Sequence, residues 1–348
     1  MTARTRELIS RLIWVTVSAM LLGIFAGLGQ ALAQGVSLAE GLLRGVLIGL
    51  FSGISIGSLE LLFDRGPLMW RVRRMSGLAV QACRLFFFIT ALFMSIILGL
   101  WCASLMANHP IEPDLWPRLI ASSSLLAFAL AFMLLPIFKV MQLLGLPTLI
   151  RAMLGQYLHP TTENRGILFM DLKGSTQLIG RIGDKSFLRF LNEILFQING
   201  VILNYRGEIY RYVGDEFIIT WSENNVQESL GCIVAIQAQL ESKREHFQRR
   251  FGCQPEFRFG LHFGSVLVGE LGDLRSEIAL IGDAINTTKR IEDVCRHFEF
   301  NVLASDAYLE RVSFPEDTRA VPVEAIRLRG KSEPMQLYGI KPRPPALR

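Results

Sequence analysis

The hydrophobic pattern divides the chain into two unlike parts. Through roughly the first 145 residues, long apolar stretches run at Leu12–Ala33, Leu43–Phe63, Leu85–Met106 and Leu119–Leu144. Each reaches the about 20 residues that a helix needs to cross a bilayer. Gly145-Leu146-Pro147 then breaks the pattern. Thr148–Leu158 reads as a short amphipathic helix that His159-Pro160 ends. From Arg165 onward the apolar positions form short runs and helical stripes. Ile167–Met170 predicts a short buried strand. Phe187, Leu191, Ile194, Leu195, Ile198 and Ile202 recur at helical spacing and predict a core-facing helix that Gly207 closes. Glu208–Val213 and Phe217–Trp221 predict a hairpin joined at Gly214-Asp215. A long helix over Val226–Arg250 follows, then a strand pair, Glu256–Phe263 and Val266–Gly269, around Gly264. A strand at Glu277–Ile281, a helix over Ala284–Phe298, and strands near Ile326–Leu328 and Gln336–Ile340 complete the set. The order β-α-β-β-α-β predicts an α/β, ferredoxin-like core with additions.

The expected organisation is a four-span transmembrane bundle at 1–145, a connector at 146–163, an α/β domain at 164–341 and a basic tail at 342–348. Flanking charge assigns the sides. Arg4, Arg6 and Arg11 precede the first span, and Arg65, Arg71, Arg73 and Arg74 lie between the second and third. The other two loops carry Glu40, Glu112 and Asp114 instead. The positive-inside rule therefore puts both termini and the α/β domain on the cytoplasmic side of a cell (inner) membrane. Ala31-Leu32-Ala33 resembles a signal-peptide cleavage site, but the apolar region before it is longer than such a segment carries. Glu60, near the cytoplasmic end of the second span, reads as an interfacial carboxylate rather than a proton site. Gly23, Gly27, Gly49, Gly53 and Gly57, at four-residue spacing, suit either close helix packing or dimerisation.

Composition adds little to this picture. The formal charge of +5 fits basic loops beside a lipid bilayer. No Lys/Arg run with interleaved aromatics occurs in the second half, which excludes a nucleic-acid footprint. The five cysteines are scattered without a CxxC or a zinc spacing, and they read as reduced thiols.

The chemistry concentrates in three segments of the second half. Asp171 ends the apolar run Gly166-Ile-Leu-Phe-Met-Asp171-Leu-Lys-Gly-Ser-Thr176, and Asp215 sits at the tip of Tyr210-Arg-Tyr-Val-Gly-Asp215-Glu-Phe. Both carboxylates stand where a strand meets a glycine turn, a placement that suits a pair of divalent cations holding a nucleoside triphosphate. The third segment, Asn286-Thr-Thr-Lys-Arg290, puts an amide and a guanidinium four residues apart, on one face of a helix.

These segments, with Phe259-Gly-Leu-His-Phe-Gly-Ser-Val-Leu-Val-Gly269 and Ile281-Gly-Asp-Ala-Ile-Asn286, stand in the order found in class III adenylate/guanylate cyclases. The resemblance covers about Asn164–Ile340. It implies a membrane-bound adenylate cyclase that forms 3′,5′-cyclic AMP and pyrophosphate from ATP, with GTP as the alternative substrate. Asp171 and Asp215, helped by the Leu172 carbonyl, would hold two Mg²⁺ or Mn²⁺ ions per site. The backbone of Lys173, Gly174, Ser175 and Thr176 would receive phosphate oxygens at a helix N-terminus. Asn286 would orient the ribose, Arg290 would offset charge on the α-phosphate, and Arg329 falls where the family has a basic triphosphate ligand. The family divides each site between two catalytic domains, so a head-to-tail homodimer would hold two. Two positions depart from the pattern: the base-reading Lys is Arg211, and its Asp or Thr partner is Ala279. That leaves open a receptor that binds nucleotide without turnover. The string Gly-Asp-Glu-Phe also resembles diguanylate cyclases, which lack a counterpart of the Asn286/Arg290 helix.

Overall fold

The computed structural model describes residues 3–34, 37–65, 77–106, 116–125, 128, 155, 159–273, 277–314, 318–323, 325 and 334–342. The chain forms two compact units, one over Thr5–Leu149 and the other essentially over Ile150–Arg348.

In the first unit, α1 (Ala3–Gln34), α2 (Leu38–Arg65) and α3 (Gly77–Met106) each contain a segment long and apolar enough to cross a membrane. Residues 116–125 are also helical, but most of the fourth predicted span lies outside the described residues. The packing is inside out for water: Phe25, Leu32, Phe86 and Met94 face outward, while small side chains such as Ser52, Ser95 and Ala103 are buried. The glycines of α1 and α2 meet each other. A Cβ at Gly23 would strike the Gly45 carbonyl, one at Gly27 the Gly41 carbonyl, and one at Gly49 the backbone of Ala19 and Met20. This stripe joins α1 to α2 within one chain. Such contact draws its energy from van der Waals packing, which apolar lipid does not supply as well. Ser55 Oγ and Ser95 Oγ, 2.9 Å apart, add a hydrogen bond between α2 and α3.

The second unit is built on a mixed sheet. Its elements are β1 (Thr161–Leu172), α4 (Ser175–Ile182), α5 (Asp184–Asn204), β2 (Glu208–Val213), β3 (Glu216–Ser222), α6 (Ser229–Ser242), α7 (Arg244–Phe251), β4 (Phe257–Leu271), β5 (Glu277–Ile281), α8 (Asp283–Val294), β6 (Val302–Ser305), α9 (Asp306–Leu309), β7 (Thr318–Pro322) and β8 (Leu337–Pro342). The strand order is β2-β3-β1-β4-β6-β8-β7, with β5 paired to β4. The first four strands and the helices between them make the ferredoxin-like core that the sequence order predicts.

One face of this sheet is closed by α5 and α6, whose Phe190, Ile194, Ile198, Ile233 and Ile236 interlock with Met170, Phe217, Phe259 and Trp221. By length and composition α5 could also cross a membrane. Its burial pattern excludes that role, because the same apolar stripe fills the core of this unit. The other face carries Ile167, Phe169, Ile218, Val266 and Leu280 under Ala284 of α8.

Several sequence expectations are corrected. The strand pair around Gly264 is one continuous strand, β4, because β1, along its whole length, pairs with it from Leu172↔Phe257 through to Thr161↔Val268. Gly264 simply lies opposite Arg165 in that ladder. The long helix over Val226–Arg250 starts as a 3-10 segment, Glu223–Glu228, and breaks at Lys243 between α6 and α7. β6 and β7 are strands that the hydrophobic pattern did not announce. The strand expected near Ile326–Leu328, and the connector helix apart from Gly155, lie outside the described residues.

Candidate functional site

Asp171 is the penultimate residue of β1 and lies between two neighbours. Its register partners are Glu216 on β3 and Arg258 on β4. Residues directly opposite in antiparallel strands point to the same face, so Asp171 and Glu216 share a side of the sheet. Asp215 precedes Glu216 in the two-residue turn between β2 and β3, and Gly214 supplies the positive φ of 64° that the turn requires. The segments that looked independent in sequence thus meet at one end of the sheet.

That meeting has an electrostatic signature. The Asp171 carboxyl is pushed up to about 6, first by burial and then by the charges of Glu292 and Asp215, against weaker opposing pulls from Lys289 and Arg258. A half-buried carboxyl is held this far above its ordinary range because burial and neighbouring carboxylates outweigh the positive charge beside it. The donor set therefore suits a divalent cation: two carboxylates at strand ends, with the carbonyl of Leu172 beside one of them. Among the described residues, no three His, Cys, Asp or Glu side chains are arranged as a metal cluster.

After β1, Gly174 takes the left-handed conformation, with φ 67° and ψ 23°, and α4 starts at Ser175 without a side-chain cap. Lys173 is already engaged. Its N–H donates to the Glu256 carbonyl at 2.8 Å, and its ammonium to Asn301 Oδ1 at 2.6 Å. The amides at the start of the helix belong to Gly174, Ser175 and Thr176, where the helix dipole favours an anion.

α8 is held close to the sheet. A Cβ at Gly260 would meet the backbone N of Glu292 at 2.5 Å, so only glycine admits the helix there. Ala284, Thr287, Thr288 and Ile291 face inward. Asn286 is exposed and Arg290 half-exposed, and their four-residue spacing puts them on one face of α8.

Sequence reasoning passed over the residue between them. Lys289 Nζ lies 2.6 Å from Glu216 Oε2, 2.7 Å from Glu292 Oε2 and 3.3 Å from Asp293 Oδ1. Burial pulls this ammonium down, but its hydrogen bonds to Glu216 and Glu292 outweigh that and hold it above the ordinary lysine range. Burial still leaves the carboxyls of Glu216 and Glu292 above theirs. The i, i+3 and i, i+4 spacing to Glu292 and Asp293 was legible, but the contact to Glu216 depends on the packed fold.

β2 and β5 also meet. The Leu280 N–H donates to Tyr210 Oη at 2.9 Å, and the Arg211 guanidinium pairs with Glu277 at 2.6 Å. Ala279, buried and paired with Gly269, lies two residues from Glu277 on the same face of β5. Arg211 thus reaches the residue two positions before Ala279, and Glu277 adds a carboxylate that no local pattern announces. Arg329 lies outside the described residues.

Residues 158–342 match the family described as adenylate and guanylate cyclase catalytic domain. Adenylate cyclase 2 of Rhizobium meliloti is 31% identical over 227 residues, which cover 64% of this chain and 62% of that protein. An adenylate cyclase of Anabaena cylindrica is 26% identical over 187 residues, 52% of this chain and 37% of that one. The chain therefore spans less than two thirds of either relative. Among solved structures, a bacterial light-regulated adenylyl cyclase shares the fold with a TM-score of 0.53 at 17% identity, covering 67% of each chain.

Proposed function

The chain belongs to the adenylate and guanylate cyclase catalytic-domain family, and on that premise we propose that it is a membrane-anchored adenylate cyclase working as a homodimer. The observation that carries the reading is the convergence of Asp171 and Asp215 at one sheet end, where burial first, and then the charges of Glu292 and Asp215, raise the Asp171 carboxyl. Asp171, Asp215 and the Leu172 carbonyl would hold two Mg²⁺ or Mn²⁺ ions. When bound, such ions lower the pKa of the ribose 3′-hydroxyl and offset phosphate charge.

The remaining roles belong to the chain's own groups. The amides of Gly174, Ser175 and Thr176 receive phosphate oxygens at the uncapped start of α4. Asn286 orients the ribose, and Arg290 meets the charge that builds on the α-phosphate. Arg329 supplies a further cation to the triphosphate. The 3′-hydroxyl passes its proton to water as its oxygen forms a bond to the α-phosphorus, the bond from that phosphorus to the α–β bridging oxygen breaks, and pyrophosphate leaves. No side chain need act as a dedicated base.

Exposed apolar side chains on β2, β4 and β5 (Tyr212, Val213, Leu267, Leu271 and Ile281) support a second catalytic domain as the dimer partner. The aspartates of one chain would then face Asn286 and Arg290 of the other. The apolar helices support a membrane anchor, and the arginine-rich flanks of the first spans support a cytoplasmic catalytic domain at the cell membrane.

One observation favours GTP as a second reading. A guanidinium beside a carboxylate, as in Arg211 and Glu277, offers a donor to a guanine O6 and an acceptor to its N1–H and amine. The names of the similar proteins favour ATP. A product assay with ATP and GTP side by side, with Mg²⁺ and with Mn²⁺, tests both. Cyclic AMP is the expected product. Cyclic GMP alone would replace the substrate, and no cyclic nucleotide from the purified dimer would favour a receptor without turnover.

A further inference from the structure

We propose that Lys289 is a positioning residue, an internal cation that reserves the metal-facing end of the sheet to Asp171 and Asp215 by holding Glu216 away. The inference rests on the metal-dependent reading above. Four carboxylates gather there, not two, since Glu216 is the register partner of Asp171 and the neighbour of Asp215, and Glu292 shares Lys289 with it. A hard divalent cation takes any carboxylate within reach, so an unclaimed Glu216 would become a third ligand.

The structure claims it. The Glu216 carboxylate lies 2.6 Å from Lys289 Nζ, with 12% of its side chain exposed. The same ammonium is fixed from below by Glu292, 2.7 Å away with only 3% of its side chain exposed, and from the side by Asp293. Glu292 sits where α8 presses on Gly260, so the anchor of the lysine is as fixed as the helix itself. Lys289 thereby also ties the β2–β3 turn, which carries Asp215, to the helix that carries Asn286 and Arg290. A third anionic ligand would draw off positive charge that the substrate phosphates need. Losing the lysine should therefore tighten metal binding and slow turnover at once, a pair of changes that partial unfolding does not produce.

The test measures Mn²⁺ binding to the purified full chain in detergent, by the EPR signal of the free ion, alongside turnover and a thermal melt. Lys289→Met should bind Mn²⁺ roughly tenfold more tightly while kcat falls, and Lys289→Arg should restore both. Two double variants of equal net charge separate ligand recruitment from simple loss of charge. Lys289→Met with Glu216→Gln should return to wild-type affinity, whereas Lys289→Met with Glu292→Gln should stay tight. Equal reversal in both doubles, or unchanged or weaker binding in Lys289→Met, would overturn the proposal. Should Lys289→Met fail to fold, Glu216→Gln alone decides: affinity close to wild type supports the proposal, and a loss matching that of Asp215→Asn overturns it. Asp215→Asn also separates the two readings. If it binds Mn²⁺ as the wild type does, the metal reading itself fails, and this inference falls with it.

Discussion

The α1–α2 contact and the carboxylate end of the sheet solve opposite problems. Between α1 and α2 the chain gains contact by having no side chains, and carbonyls lie against α-carbons along the glycine stripe. At the end of β1 it gathers carboxylates around a half-buried one, and burial together with the charges of Glu292 and Asp215 raises the Asp171 carboxyl. The first region is optimised for its own packing. The second is held in an unfavourable state that a bound cation would relieve. A change in the first should cost structure, and a change in the second should cost function while leaving structure intact or improved.

The largest expected effect lies in the second region. Asp171→Asn or Asp215→Asn should lower kcat for cyclic nucleotide formation by roughly two to three orders of magnitude, with no loss of melting temperature. A parallel loss of both would erase the contrast. Next, mixing Asp215→Asn chains with Arg290→Ala chains should recover activity. Random pairing gives half heterodimers with one complete site of two, so about a quarter of wild-type turnover should return. No recovery would mean that each chain completes its own site.

In the first region, Gly45→Leu should separate α1 from α2 at a cost of roughly 1–3 kcal/mol, read as a lower detergent-unfolding midpoint, while the melt of the catalytic unit stays put. A tolerated leucine would show that the two helices are not held by backbone contact.

The smallest effect sharpens the contrast through pH. The Asp171 carboxyl titrates near 6 in the folded chain against an ordinary value of 3.8. Ionising it therefore costs folding free energy, fully above about pH 6 and not at all below about pH 4. Metal-free Asp171→Asn should be more stable than wild type at pH 7.5. The gain, on the order of 1 kcal/mol for a half-exposed group, should vanish as pH falls from 6 toward 4. Melting curves across that range would check it.

How legible each region was in sequence follows from how local its physics is. Asp171, Asp215, Asn286 and Arg290 could be named because strand ends, glycine turns and helical spacing are local patterns. The glycine spacing was equally plain, but whether the stripe meets its own chain or another depends on tertiary packing. β4 was split in two because a glycine in a strand looks like a turn, and only its twelve-residue ladder with β1 shows otherwise. Lys289 carried no local signal of its role, since its decisive partner, Glu216, is 73 positions away on another element. Glu277 was passed over for the same reason.

The β1–β4 ladder has a mechanical consequence. Twelve consecutive pairs join the two strands between Thr161 and Leu172, a run of roughly 40 Å at about 3.4 Å per residue. An extended strand has almost no stretch left in it, and a slip of one residue would turn its inward side chains outward. A push or pull applied at Thr161 therefore reaches Asp171 without being absorbed on the way, and carries β4 with it. The strand behaves as a stiff rod, with the Asp171 carboxylate mounted at its far end.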